Sequence, residues 1–437
     1  MAIARDRHST PRNSAFRTNA IPSQFARIEN SGRLGEEAPS AATATEDFDK
    51  RLVKDSFAHL MTNSDWAMEY LYARLFVQNP ELRALFPLAM SHTRVATFEM
   101  LARLIWSLDD AGATEQLLGQ LARDHRKFGV KDQHHKPFFD ALLATAEHVI
   151  GPGWTPEVGA AWRSGLGYFA AVMSAAASAD AKGQPAWWVG EIVQHDQRTP
   201  TVAVLTIRPD QPLSYRPGQY IPVQVPRWPR IWRNYSIANA PRENGLIDIH
   251  VRAVPGGMVS TALVSHCGTG DMVMLGAARG ELAVPADPAL DLVCVAGGTG
   301  LAPIKAIIEA VVGTTLQGRR RDVALYAGAR RSQDLYDMRD LETLRLAYPS
   351  LTLVPVAERE LEFAGQVGRV PEVAKKHASF RNTEVYISGP ASMISATVRA
   401  LSGRVPANRI HHDSLDLLKA ASRSSAVQRH GGILGTD

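Results

Sequence analysis

Leu292-Val293-Cys294-Val295-Ala296-Gly297-Gly298-Thr299-Gly300-Leu301-Ala302-Pro303 is an uninterrupted apolar run, a glycine turn and the opening of a helix. An apolar run without polar alternation is a strand covered on both faces, as in a parallel sheet. Glycines at its carboxyl end, ahead of a helix, sit where a phosphate-binding turn belongs, because the free N–H groups of the helix start attract an anion. Runs at 323–326, 351–356 and 385–388 read as further strands separated by helical stretches. Strand–helix alternation of this kind predicts a parallel α/β sheet.

Upstream the period changes to two. Residues 187–193 and 201–207 read as strands. Ile221, Val223 and Val225 alternate with Pro222 and Gln224, and Ile247, Ile249 and Val251 alternate with Asp248, His250 and Arg252. Such runs, punctuated by proline and glycine, predict an antiparallel barrel or sandwich. Two segments there suit a flavin. Arg233-Asn234-Tyr235-Ser236 offers a cation for a pyrophosphate, an aromatic plane for a ring face and a hydroxyl for the ring edge. By itself it is equally a surface strand. Pro255-Gly256-Gly257-Met258-Val259-Ser260-Thr261 opens a helix running to about Ser265, and two glycines there expose free N–H groups and the positive dipole end. The plain alternative is a glycine-flanked cap. One strand separates the two segments, which strengthens the flavin reading of both. Farther on, Tyr386-Ile387-Ser388-Gly389-Pro390 ends the last strand in a turn whose small residues leave room for a nicotinamide to approach the flavin.

Residues 48 to about 180 carry helical period and no strand pattern, and predict an all-α unit that ends near Gln184-Pro185. Met68, Tyr72, Leu75 and Phe76 share a face at i, i+4, i+7 and i+8. Asn79-Pro80-Glu81-Leu82 reads as a helix start, with asparagine as cap and proline in the first helical position. Phe98, Leu101 and Ile105 align over 94–108, and Leu117, Leu118, Leu121, His125 and Phe128 over 114–128. A lone histidine on an apolar stripe is usually a hydrogen-bonded core residue. Its other reading is a neutral imidazole ligand to haem iron in a greasy cleft. Tyr72 is likewise either a core tyrosine or a hydrogen-bond donor to a bound ligand.

The remaining composition narrows the function classes. A length of 437 residues suggests about three domains. The net charge of +4, without a basic stripe interleaved with aromatics, excludes a nucleic-acid reading. Cys267 and Cys294 lack CxxC partners, so neither a disulfide scaffold nor a zinc site is expected, and the compartment expected is the reducing cytoplasm. No apolar stretch approaches ~20 residues, so no transmembrane segment is expected. Residues 1–47 and 418–437 read as a disordered leader without a secretory signal and a flexible tail.

Residues 187 to about 415 resemble the ferredoxin–NADP reductase-like family, on these segments in this order. The resemblance implies a flavin barrel at 187–287 and an NAD(P)-binding α/β sheet at 288–417. It implies FAD contacts at Tyr220, Arg233, Tyr235 and Ser236, and a pyrophosphate turn at Gly257, Met258, Val259 and Ser260. It implies a dinucleotide loop at Gly298, Thr299, Gly300 and Pro303, and a terminal pair Gly389-Pro390. Ser388 stands where the family carries cysteine, which is expected to slow hydride transfer. Residues 48–182 resemble the globin domain of flavohaemoglobins, which join such a globin to this reductase. Tyr72-Ala73-Arg74-Leu75-Phe76 with Asn79-Pro80-Glu81-Leu82 matches the helix bearing the distal tyrosine. Phe86 matches the phenylalanine wedging the haem, and the stretch from Leu121 to Lys131 matches the proximal helix. This implies His125 as the iron ligand of haem b and Tyr72 as donor to haem-bound oxygen. Departures are Thr93 for the distal glutamine, His135 for the proximal tyrosine, Ala177 near the proximal glutamate, Asp124 for a lysine, and Leu415 for the aromatic flavin cover.

The implied activity is NAD(P)H-dependent transfer through FAD to haem, with O2 and nitric oxide as ligands and nitrate as product, in a monomer. A tyrosine–glutamate pair beside the proximal imidazole raises its basicity. Its loss leaves open a flavohaem diaphorase serving another acceptor, with weak nitric oxide activity. A haem-based oxygen or redox sensor is a further alternative, against which the complete reductase half speaks. Arg330 and Arg331, after the second strand of the sheet, suit a 2′-phosphate or are plain surface charge, so NADH and NADPH both remain.

Overall fold

The computed structural model describes residues 47–282, 289–312, 315–316 and 319–412. The leader (save its last residue), the tail and Leu415 lie outside the described residues.

The amino-terminal part is helical: α1 Lys50–Thr62, α2 Ser64–Gln78, α3 Ser91–Ser107, α4 Ala111–Arg126, α5 His135–Ile150 and α6 Pro156–Gly183. Its core gathers Phe57, Leu60, Met68, Leu71, Leu75, Leu118, Leu142 and Trp162, and α4 packs on α6 while α2 packs on α5. Three helix starts are set by side-chain caps, Asp49 accepting from Leu52 N at 3.0 Å for α1, Asp110 from Ala113 N at 3.0 Å for α4 and Thr155 from Val158 N at 3.3 Å for α6. The Asn79-Pro80 start differs from expectation. Pro80–Leu85 is a 3-10 helix, and Asn79 makes no side-chain cap to it. Its amide turns back to donate to Leu75 O at 3.4 Å, so Asn79 closes α2 instead of opening a new α-helix.

The middle part is antiparallel: β1 Trp188–Thr199, β2 Val202–Pro209, β3 Tyr220–Gln224, β4 Arg233–Ser236, β5 Ile247–Arg252, the helix α7 Met258–Ser265, and β6 Met272–Leu275. The strand order is β4-β3-β6-β1-β2-β5. A bridge from Ile237, just past β4, to Ile249 in β5 joins the two edges and closes the barrel. The alternating residues Ile221, Val223, Ile247, Ile249 and Val251 fill its interior.

The last part is parallel: β7 Asp291–Gly297, α8 Leu301–Val312, the two-residue ladder β8 Thr315–Leu316 with β9 Arg319–Arg320, β10 Val323–Ala329, α9 Met338–Ala347, β11 Leu351–Ala357, β12 Gln366–Val367, α10 Val370–His377, β13 Thr383–Ser388, α11 Ala391–Leu401 and β14 Ile410–His412. The main sheet runs β12-β11-β10-β7-β13-β14, with β7 inside it. Leu292, Cys294 and Ala296 face one apolar layer with α8 and α9. Val293 and Val295 face the other with α10 and α11. Both faces of β7 are therefore buried, which is why its sequence shows no alternation. The strand at 385–388 is not the last one: β14 pairs with β13 beyond it, a three-residue edge too short to leave a periodic signal. The order reverses between β7 and β13, so the carboxyl ends of these two strands flank the crevice where open α/β sheets bind ligands.

Candidate functional site

Tyr72 and His125, on α2 and α4, line one cavity of about 480 Å3, a size suited to a cofactor. Most of its wall is apolar: Leu75, Leu82, Leu85, Phe86, Leu121, Phe128, Phe138, Phe169 and Met173. The buried centre of α4 is Thr114, Leu118 and Ala122. That rotation leaves Leu121, His125 and Phe128 of the predicted stripe at the cavity margin.

His125 Nδ1 lies 2.7 Å from Leu121 O, so its N–H donates to the preceding turn and Nε2 keeps the lone pair. Burial holds its pKa below the ordinary histidine value, against the weaker upward pull of the Leu121 carbonyl, so the ring is neutral. A neutral imidazole with a free Nε2 in an apolar cleft is the donor set that haem iron takes. Across the cavity, Tyr72 is 4 % exposed and its hydroxyl is 2.6 Å from Thr97 Oγ1. Burial pushes the phenol up to about 12, so it stays protonated and able to donate. Phe86 meets Tyr72 edge-on at 5.5 Å and Phe76 at 5.2 Å. Arg83 fixes this aromatic corner: its guanidinium donates to Phe86 O, Pro87 O and Leu88 O at 3.2, 2.8 and 2.9 Å, and lies 5.3 Å from the Phe76 ring centre. Sequence reading missed Arg83 and Thr97. Each shows only through its contacts, although Thr97 falls one turn after Thr93, which also lines the cavity. His135 borders the cavity and pairs with Ser174 Oγ at 3.3 Å.

The barrel closes part of the same cavity, through Arg230, Ile231, Trp232, Arg233 and Met258. Arg233, Tyr235 and Ser236 lie on β4, and Tyr220 on β3 sits directly across from Ser236. Burial raises the Tyr235 phenol above its usual range. Gly257 precedes α7 without a side-chain cap, so the first amides, from Met258, Val259 and Ser260, are open to an anion. An aromatic plane, a cation and an uncapped helix start on adjoining elements suit the isoalloxazine and pyrophosphate of FAD.

The two glycine motifs of the sheet, ninety residues apart in sequence, meet. Gly298 adopts φ +55, in the left-handed region. A Cβ on Gly300 would lie 2.4 Å from Ser388 O and 2.5 Å from Gly389 N, so only hydrogen fits between the two strand ends. Thr299 lies in that turn, and Pro303 is buried in the first turn of α8. Gly389 and Pro390 follow β13 at the other side of the crevice.

Family models match in the same order: a globin over residues 69–173, an oxidoreductase FAD-binding domain over 190–283 and an oxidoreductase NAD-binding domain over 294–399. The xylene/toluene monooxygenase electron transfer component XylA of Pseudomonas putida is 35% identical over 199 residues, 45% of this chain and 55% of that protein. The chain spans little more than half the length of such reductase relatives. A flavohemoprotein of Rhizobium meliloti (strain 1021) is 26% identical over 401 residues, covering 84% of this chain and 93% of its own length. The crystal structure of a Malassezia yamatoensis flavohemoglobin with bound FAD and heme superposes with TM-score 0.67 at 17% identity, over 83% of this chain and 97% of that one, which speaks to fold. No helix among the described residues is long and apolar enough to cross a membrane. Globin, FAD-binding and NAD-binding domains thus follow one another in one polypeptide, and over most of its length the chain is similar to flavohemoproteins of Rhizobium meliloti and Bordetella pertussis.

Proposed function

We propose that this flavohaem oxidoreductase acts as a nitric oxide dioxygenase, consuming NAD(P)H and O2 and yielding nitrate. The observation that carries the reading is the shared cavity: Tyr72 and His125 line it from the helices, and Trp232, Arg233 and Met258 line it from the barrel.

A haem held in this cavity would supply an iron able to bind O2 and nitric oxide, and an FAD held on the barrel would supply the conversion of a two-electron hydride into single electrons. In this reading His125 is the iron ligand through Nε2, held in that tautomer by the Leu121 carbonyl. Tyr72, kept protonated by burial, donates its O–H to the ligand, and Thr97 fixes where that hydroxyl points. Phe86, braced by Arg83, wedges the ring. On the reductase side, Arg233 and the open start of α7 offset pyrophosphate charge, and Tyr220, Tyr235 and Ser236 position the flavin ring. Gly298, Thr299, Gly300 and Pro303 receive the dinucleotide, and Gly389-Pro390, small residues just past β13, leave room for the nicotinamide to approach the flavin.

Mixing reduced, oxygen-equilibrated protein with nitric oxide and measuring nitrate tests the reading. A stoichiometric burst is expected, and its absence overturns the dioxygenase assignment. One observation favours a second reading, a diaphorase with weak nitric oxide activity: His135, at the place of the family's proximal tyrosine, pairs with Ser174 at 3.3 Å, and Ala177 stands near the place of the glutamate. A hydroxyl partner supplies no negative charge to the proximal side. Turnover with artificial acceptors but not with nitric oxide would favour it. The cytoplasm is the location we propose, in keeping with two cysteines that are both free thiols.

A further inference from the structure

We propose that the last turn of α4 is the joint through which the flavin reduces the haem, with Phe128 and Trp232 as its coupling pair and Asp124–Arg279 as its clamp. This rests on the reading of His125 as the iron ligand and of β4 as the flavin strand.

The residues around His125 are committed to other parts of the molecule. Asp124 Oδ1 lies 3.3 Å from Arg279 Nε of the barrel. Arg126 pairs with Asp180 near the end of α6 and donates to Gln184 O at 2.9 Å, which ties the helix to the segment leading into the barrel. Phe128 meets the His125 ring at 6.2 Å and 61°, and the Trp232 ring at 6.4 Å and 84°. The three rings thus form a continuous edge-to-face series from the iron ligand to the barrel.

On the barrel side, both contacts join directly to flavin positions. Trp232 precedes Arg233, whose guanidinium donates to Trp232 O at 2.9 Å. Arg279 exchanges two backbone hydrogen bonds with Tyr220, each 2.8 Å. The α4 turn is thus one contact removed from Tyr220 through Arg279 and from β4 through Trp232. Asp124 also gains a role: the lysine expected there would repel Arg279, and the carboxylate attracts it.

Hydride uptake leaves the flavin with two extra electrons and one proton. Each crossing of the joint oxidises the flavin by one electron and reduces one ferric iron to ferrous. Two crossings restore FAD and release the proton to solvent.

The test uses full-length protein loaded with haem and FAD, mixed anaerobically with NADH under carbon monoxide. Flavin bleaching and appearance of the carbon monoxide haem band are followed separately. In Trp232→Leu the rate of haem reduction relative to flavin bleaching is expected to fall about tenfold, as for a misplaced reacting pair. Trp232→Phe should restore most of it, because a ring edge is retained. Asp124→Lys and Arg279→Glu should each lower the ratio, and the double swap should recover it, an outcome that loss of packing alone does not produce. Unchanged ratios in Trp232→Leu and Asp124→Lys overturn the joint. Should Trp232→Leu fail to fold, the charge swap decides alone. The Soret band of His125→Ala tests the underlying reading independently: an unshifted band would refute the iron ligand and leave the relative rates of the other variants to speak for the joint.

Discussion

Thr97 and Tyr72 share a hydrogen bond at 2.6 Å in a largely apolar wall, so each hydroxyl has its orientation chosen by the other. Valine is the isostere that deletes this choice while keeping the volume. A neutral hydrogen bond of this kind contributes about 1 kcal/mol, roughly fivefold in a rate it controls. Thr97→Val is therefore expected to speed O2 release from the haem-loaded protein about fivefold. Tyr72→Phe should speed it further, and the double variant should match Tyr72→Phe, since Thr97 acts only through the phenol. Flash photolysis or ligand-replacement kinetics reads this; additive effects would remove Thr97 from the ligand-holding pair. Arg83 makes a second residue-scale case. It holds three successive carbonyls beside Phe86. Arg83→Ala is expected to release that corner at a cost of about 1–2 kcal/mol, hence roughly tenfold faster haem loss to an acceptor globin. Unchanged haem loss would show that Phe86 needs no brace.

At the scale of elements, the meeting of β7 and β13 depends on a missing methyl group. Gly300→Ala would place Cβ 2.4 Å from Ser388 O, which is backbone and has nowhere to retreat. Overpacking of this kind costs about 1–3 kcal/mol and forces the strand ends apart. NADH-driven flavin reduction is expected to drop by at least about tenfold, with the haem spectrum intact, because the helical core lies elsewhere. Stopped-flow absorbance separates the two, and normal flavin reduction would mean the crevice tolerates the extra carbon. This crevice was readable from sequence because β7 needs apolar residues on both faces and the turn needs glycine, and both demands leave marks in consecutive residues. The aromatic run of α2 was readable for the same reason. Asn79 misled because Asn-Pro is also compatible with closing one helix and entering a 3-10 turn, a choice made by Leu75 O and not by local propensity. Arg83, Thr97, Asp124 and Trp232 were opaque as partners, since each acts on a residue in another segment. Asp124 looked like a lost lysine until Arg279, 155 positions away, stood beside it.

Across the whole molecule, barrel and sheet are joined by buried charge. Arg198 on β1 lies 3.0 Å from Asp196, 2.7 Å from Asp340 and 3.6 Å from Asp337, and Lys305 on α8 lies 2.9 Å from Asp337. His250 on β5 is packed against this group, 4 % exposed, with Nδ1 2.7 Å from the Tyr336 hydroxyl and Nε2 without a hydrogen-bond partner. Burial first, then Lys305 and Arg198, hold its pKa well below 6.5, outweighing Asp340. The sign of the consequence follows. Above about pH 6.5 the ring is neutral in folded and unfolded chains alike, and it adds no pH dependence. Below that pH the unfolded chain takes up a proton that the folded chain refuses. Stability then falls by about 1.4 kcal/mol per pH unit for this group, until the folded value is reached. His134 and His135 are shifted the same way beside the cavity, so the helical unit has an acid limb of its own. The two are separable by probe. Urea unfolding followed by FAD fluorescence reports the barrel and sheet, and the Soret band reports the helices. Between about pH 7 and about pH 5, His250→Gln, which can still bond Tyr336, is expected to flatten the flavin-detected slope and leave the haem-detected slope as it was. An equal acid slope in that variant would place the proton uptake on another group at the barrel–sheet boundary.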